Sequence, residues 1–113
     1  MATSEPTDTA HGLAEEGPLA TLFSGPARTR IIEAFVANKS RELNVSDIAR
    51  ESDTARSTVY RHLDELQELG IIVKTGSGNE RYALNRDNDI AELLWQLEGV
   101  TLQKLLEVDQ SEN

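Results

Sequence analysis

The chain has no cysteine, which removes disulfides, thiolate metal sites and thiol nucleophiles from consideration. No apolar run approaches the roughly 20 residues that a membrane-spanning helix needs. Met1 to Thr9 has neither the basic nor the apolar region of a signal peptide, and with the missing cysteines this predicts a cytoplasmic protein. No nucleophile, base and orienting partner are spaced as an enzyme would need, so catalysis is not expected. Positive charge is also scarce: 11 Lys and Arg against 20 Asp and Glu leave a net charge of −9. That balance argues against a nucleic-acid binder unless the acidity is confined to parts of the chain. It is confined. Residues 1–21 carry four carboxylates and no Lys or Arg, and residues 87–113 carry seven carboxylates and one Lys. Residues 22–86 hold ten basic and nine acidic groups, a balance that leaves room for a local basic face.

With 113 residues, 38% hydrophobic and 27% charged, the chain suits one small domain and is too short for two. Residues 1–21 are rich in Thr, Ser, Glu, Gly and Pro and read as a disordered acidic tail. From Leu22 onward Phe23, Ala27, Ile31, Ile32, Phe35 and Val36 keep helical spacing. Ser24 is the expected N-cap of a helix over Gly25 to Ala37, and Asn38, tolerant of the left-handed conformation, closes it. Glu42 to Val45 reads as extended. Ser46 then caps a short helix ending near Ser52, and Asp53-Thr54 makes a turn. A third helix, about 55–69, carries an apolar stripe of Val59, Leu63, Leu66 and Leu69 and stops at Gly70. Ile71 to Val73, a turn at 76–79 and Arg81 to Leu84 form a hairpin. The last helix, Asp89 to Val108, opens with a capping-box pattern of Asp89 and Glu92. Its residues Ile90, Leu93, Leu94, Leu97, Leu105 and Val108 line one side, with Trp95 and Leu102 beside them. That is more apolar surface than so small a domain covers, so a partner helix is expected. Gly99 marks a bend or a close helix crossing.

The order helix, short strand, helix, turn, helix, hairpin, helix predicts a mainly α winged helix-turn-helix with a β-hairpin wing and a C-terminal dimerisation helix. Three segments carry a family resemblance. Leu22-Phe23-Ser24-Gly25-Pro26-Ala27-Arg28-Thr29-Arg30-Ile31-Ile32 resembles the opening of the ArsR family, where Pro-x-Arg-x-x-Ile starts the first core helix. Glu42-Leu43-Asn44-Val45-Ser46-Asp47-Ile48-Ala49 is similar to that family's next helix entry. Ser57-Thr58-Val59-Tyr60-Arg61-His62-Leu63, with Leu66 and the exit Leu69-Gly70-Ile71-Ile72, is similar to its recognition helix and the start of its wing. The resemblance spans about residues 22–84 and implies a DNA-binding transcriptional regulator. The sequence departs from the metal-sensing members. Asn44 and Ser46 stand where those carry cysteine ligands, and the last helix has no histidine, so no metal and no cofactor is expected. Ala55 occupies a position that Ser usually caps, leaving Thr54 or Asp53 to satisfy the free N–H groups. Three Lys against eight Arg on an acidic background resembles the composition of proteins from salt-loving archaea.

Arg56, Ser57, Tyr60 and Arg61 fall opposite the apolar stripe of the third helix and near its N-terminus, where such helices meet base edges. The alternative is a solvated helix face. Lys74, Asn79 and Arg81 sit on the hairpin, whose tip of Ser77, Gly78 and Asn79 suits a DNA backbone or minor groove; charged hairpin edges that block strand pairing are the alternative. Arg28 and Arg30 are open to phosphate contacts or to a surface ion pair with Glu33. His62 reads as a packed residue with one hydrogen bond rather than a sensor, and His11 has no ligand spacing. Trp95 reads as dimer packing rather than the wall of an effector pocket. Ile90, Leu93, Leu94, Leu97 and Leu105 are the expected dimer interface. The expected organisation is a tail at 1–21, a DNA-binding domain at 22–86 and a dimerisation helix with a short tail at 87–113. Double-stranded DNA and a second copy are the expected partners, with no membrane and no assigned effector. A winged helix used only for protein contacts is the rival, favoured by the acidic ends.

Overall fold

A computed structural model of the chain describes residues 17–76 and 80–111. The described elements are α1 (Pro18–Phe23), α2 (Pro26–Ala37), α3 (Val45–Ser52), α4 (Arg56–Glu68), β1 (Ile72–Thr75), β2 (Arg81–Leu84) and α5 (Asp89–Ser111). Helix α1 lies partly inside the stretch read as a tail. Pro18 at its first turn starts it, and Leu22 and Phe23 pack on the core, which offsets the ordering entropy of so short a segment. Residues 1–16, with His11, lie outside the described residues. Ser24 is not the N-cap of the next helix. It ends α1 in the left-handed conformation, and Gly25 at φ 101° turns the chain into α2, which Pro26 opens.

Helix α2 is the centre of the molecule. Ile31, Ile32, Phe35 and Val36 meet Leu43, Val45 and Ile48 around α3, Val59, Leu63 and Leu66 of α4, and Ala91 and Leu94 of α5. Asn38 closes α2 without a left-handed turn (φ −117°), its side chain donating to the Ala34 carbonyl at 2.7 Å. Helix α3 begins two residues earlier than read. Asn44, not Ser46, is its N-cap: Asn44 Oδ1 accepts from the Asp47 backbone N–H at 2.8 Å, and Asp47 Oδ2 accepts from that of Asn44 at 3.1 Å. Asp53, left-handed at φ 53°, ends α3 and makes the turn into α4.

Three residues of the predicted stripe on α4 are buried, but Leu69 follows the helix as its C-cap and is 41% exposed. Gly70 at φ 80° reverses the chain, and a side chain there would sit 2.8 Å from Asn88 Nδ2. Strands β1 and β2 pair antiparallel from Ile72 opposite Leu84 to Thr75 opposite Arg81. Leu43 bridges Tyr82 through two backbone hydrogen bonds of 2.8 Å, which anchors the wing to the segment before α3. Helix α5 is capped by Asn88, whose Oδ1 accepts from the Ala91 N–H at 2.9 Å, so Asp89 is its first residue and not its cap. It runs unbroken past Gly99. Among the described residues nothing outside that stretch of helix lies within 4 Å of a side chain placed there, so Gly99 marks no close crossing between described elements of the protomer. No helix among the described residues is long and apolar enough to cross a membrane.

Candidate nucleic-acid interface

One face of α4 is anchored by Val59, Leu63 and Leu66, all essentially inaccessible, and this fixes what the other face presents. Arg56, Ser57, Tyr60 and Arg61 are all exposed there, and Tyr60 keeps 42% of its surface open. The N-cap of α4 is Ala55 in an extended conformation, with no side-chain cap. Neither residue expected to cap it does so. Asp53 ends α3, and the Thr54 hydroxyl donates to the Ser52 carbonyl at 2.9 Å. The first N–H groups of α4 thus lack a side-chain acceptor, leaving the positive end of the helix dipole uncompensated. Arg56 is steered toward the start of α3 by a 3.0 Å hydrogen bond from Nη1 to Ser46 Oγ. Among the described residues no carboxylate pairs with Arg61.

The arginines of α2 are committed inside the protomer. Arg28 is only 3% exposed and does not pair with Glu33. Its Nε donates to His62 Nδ1 at 2.9 Å, its Nη1 to the Leu22 carbonyl at 3.3 Å, and its Nη2 pairs with Glu65. Both ends of this arrangement were hidden from local reading, because His62 and Glu65 come from a helix far along the chain. Burial lowers the Arg28 pKa from its usual value, and nearby Arg61 lowers it further. Burial likewise pushes His62 below the usual histidine range, and Arg28 and Arg61 add to the effect. His62 is therefore the packed, hydrogen-bonded residue expected, and its Nδ1 is an acceptor and carries no proton in this arrangement. Arg30 donates from Nε to the Ser52 carbonyl at 2.7 Å, tying α2 to the end of α3.

The wing lies against α4. Tyr82 of β2 is buried, and its pKa is raised by that burial and then by Glu80, Tyr60 and Asp64, which places the last two close by. Lys74 is exposed and pairs with Glu80 at 3.5 Å, while Arg81 is half-buried opposite Thr75. Asn79 and the rest of the tip, 77–79, lie outside the described residues. The structure thus brings Arg56, Ser57, Tyr60 and Arg61 onto one face and Lys74 and Arg81 onto the adjoining wing.

The residues read as a dimer interface divide. Leu94 is 8% exposed and belongs to the protomer's own core, and Ile90 packs on that core, because the first turns of α5 cross α2. Leu93, Leu97 and Leu105 remain open, joined by Val100, Leu102, Leu106 and Val108. Leu97, Leu102 and Leu105 also wall a groove of about 240 Å³ shared with Phe23, Ile32 and Val36. Trp95 keeps 37% of its surface open, with the Lys39 ammonium 3.6 Å from its ring centroid.

Residues 29–76 match the IclR helix-turn-helix domain. No curated protein matches the chain in sequence. Among solved structures, it is similar to a MarR family transcriptional regulator from Silicibacter pomeroyi (TM-score 0.60, 17% identity, covering 88% of this chain and 76% of the other). It is also similar to NolR from Sinorhizobium fredii (0.58, 18%, 87% and 96%). A third similar structure is the homodimeric winged helix-turn-helix DNA-binding domain of a possible ArsR-family regulator from Mycobacterium bovis (0.59, 18%, 93% and 94%). Element order, hairpin and matched segment agree, and the chain has the winged helix-turn-helix fold.

Proposed function

We propose that this protein is a sequence-specific DNA-binding transcriptional regulator that acts as a homodimer, with α4 in the major groove and the wing on the backbone or minor groove. The observation that carries the reading is the free face of α4. Arg56, Ser57, Tyr60 and Arg61 project from a buried, rigid base around a helix end without a side-chain cap. Such an end favours phosphate, and arginine or a hydroxyl reaches base edges beside it. The apolar, uncovered flank of α5 supports dimerisation, and the Mycobacterium bovis neighbour is itself homodimeric. Two-fold symmetry then sets two recognition helices on half-sites about 10 base pairs apart. The matched helix-turn-helix domain, the ArsR-like segments and the arginine-over-lysine, acid-rich composition fit a regulator without a metal site and of salt-adapted origin.

Genomic footprinting identifies the cognate site, and titrations on cognate and scrambled duplexes at several salt concentrations test the roles. Arg61→Ala is expected to cost about 1–3 kcal/mol on the cognate site and much less on scrambled DNA. Arg81→Ala is expected to weaken both duplexes alike and to lower the salt slope by about one for each phosphate that Arg81 neutralises. Absence of DNA binding at every salt concentration overturns the proposal. A winged helix used for protein contacts then takes its place, a reading that the Lys74–Glu80 pair favours because it mutes the wing's charge.

A further inference from the structure

We infer that Arg28, although it touches no DNA, is the positioning residue of the recognition helix, and that it holds α4 in its reading pose only while His62 Nδ1 is free of a proton. The inference rests on the reading that α4 enters the major groove. Arg28 belongs to α2, yet its guanidinium spends its donors on α1, through the Leu22 carbonyl, and on two consecutive turns of α4, through His62 and Glu65. Three helices are thereby joined through one buried, planar group whose fork fixes direction as well as distance. His62 directly follows Arg61 in α4, so the turn that Arg28 grips is the turn that aims Arg61. Arg61 is also close enough to Arg28 to disfavour its charge.

The clamp has one titratable member that must stay neutral. Arg28 Nε is a donor, so His62 Nδ1 accepts only if it is unprotonated, and a proton there would set two donors face to face. The charged groups around His62 are Arg28 from α2 and Arg61 from its own helix, with Glu65 engaged by Arg28. Helix α1 supplies a carbonyl and no ionisable side chain, and among the described residues no ionisable group of α3 or β1 bears on His62. A proton on His62 therefore meets two cations and loses the bond to one of them.

The test joins two measurements. Nitrogen NMR of His62 in the full chain at pH 7.5 is expected to show Nδ1 unprotonated, and the signals of Tyr60 and Arg61 are expected to move as His62 titrates. A protonated Nδ1, or α4 signals indifferent to that titration, overturns the clamp whether or not the chain binds DNA. On the cognate duplex, Arg28→Met is expected to lower affinity about tenfold, equivalent to about 1.4 kcal/mol, with an unchanged salt slope; a slope reduced by about one would make Arg28 a phosphate contact instead. His62→Asn keeps an acceptor near the place of Nδ1 and cannot take up a proton. It is expected to retain affinity at pH 7.5 and to flatten the loss that the wild type shows as pH falls below the usual histidine range. If Arg28→Met does not fold, the His62→Asn profile decides, and a profile identical to that of the wild type refutes the inference.

Discussion

Replacing Leu97 and Leu94 separately by alanine separates association from folding, although both leucines come from one helix. Leu97 is 56% exposed in the protomer and Leu94 is 8% exposed. Truncating a leucine removes about three carbons, each contributing about 0.8 kcal/mol when fully buried. With roughly half of that surface still open at Leu97, a partner covering it gains about 1.3 kcal/mol per copy. A symmetric dimer holds the residue twice, so Leu97→Ala is expected to weaken dimerisation by about 2.5 kcal/mol, close to a hundredfold in Kd. Folding of the protomer should change little. Leu94→Ala instead opens a cavity between α5 and α2 and is expected to cost the fold about 2–5 kcal/mol. In a domain of this size each kcal/mol lowers Tm by about 4–8 °C. Sedimentation equilibrium reads the first effect and thermal unfolding at fixed protein concentration reads the second. An unaltered dimer Kd for Leu97→Ala would refute the assignment of the interface to the open flank of α5. So would a chain truncated after Arg86 that still dimerises, which would direct attention to α2.

Glu80→Gln frees Lys74 from its half-exposed partner. Stability should change by less than about 1 kcal/mol, while binding to cognate and scrambled DNA tightens and the salt slope steepens by about one per protomer, read by the same titrations. Stability should also fall on mild acidification: the His62 pKa is lower in the folded chain than its unfolded value of about 6.5, so the unfolded chain takes up the proton first. The loss begins below that value and stops once pH passes the folded pKa. Asp47, also depressed, chiefly by its hydrogen bond from the Asn44 backbone and then by Arg50, loses its contribution further down, below about 3.9. Urea unfolding between pH 8 and 3 checks both windows, and a flat profile from 7 to 5 would contradict the assignment to His62.

The parts of the fold legible in the sequence are those in which one residue's burial follows from its neighbours'. The spacing of Val59, Leu63 and Leu66 reports the buried side of α4, and so also its open side with Arg56, Ser57, Tyr60 and Arg61. Gly70 and the hairpin were legible for a similar local reason. Helix starts were displaced by one or two residues at Ser24, Ser46 and Asp89. Several good caps stand side by side at each place, and the choice falls to whichever lets the first apolar residue, such as Val45, reach the core. Arg28 and Trp95 escape local reading for the opposite reason. Their partners, His62, Glu65 and Lys39, are distant in sequence, and no periodicity announces them. Leu94 shows the same limit. It shares a stripe with Leu97, and only the crossing of α2 decides which of the two is covered.

The same sorting of arginines sets how strongly salt should act on DNA binding. Of the basic residues in 22–86, Arg28, Arg30, Arg41, Arg50 and Arg56 donate hydrogen bonds within the protomer, Lys39 lies on Trp95 and Lys74 pairs with Glu80. Among the described residues that leaves Arg61, Arg81 and Arg86 without a partner. With Arg61 assigned to a base edge, two protomers offer four such cations to phosphate, and each phosphate neutralised contributes about −0.9 to the slope of log K against log salt, giving about −4. Arg56 is held only by the neutral Ser46 hydroxyl and keeps its charge free for phosphate, which extends the slope to about −5. The carboxylates of 87–113 repel the duplex most at low salt, where screening is weakest, so the measured curve should flatten below about 0.1 M. Titrations from low to high salt on the cognate duplex test this directly. A slope steeper than about −9 would show that arginines assigned here to internal bonds leave them to meet phosphate. A slope near zero would remove the phosphate contacts altogether, and the DNA-binding reading would fall with them.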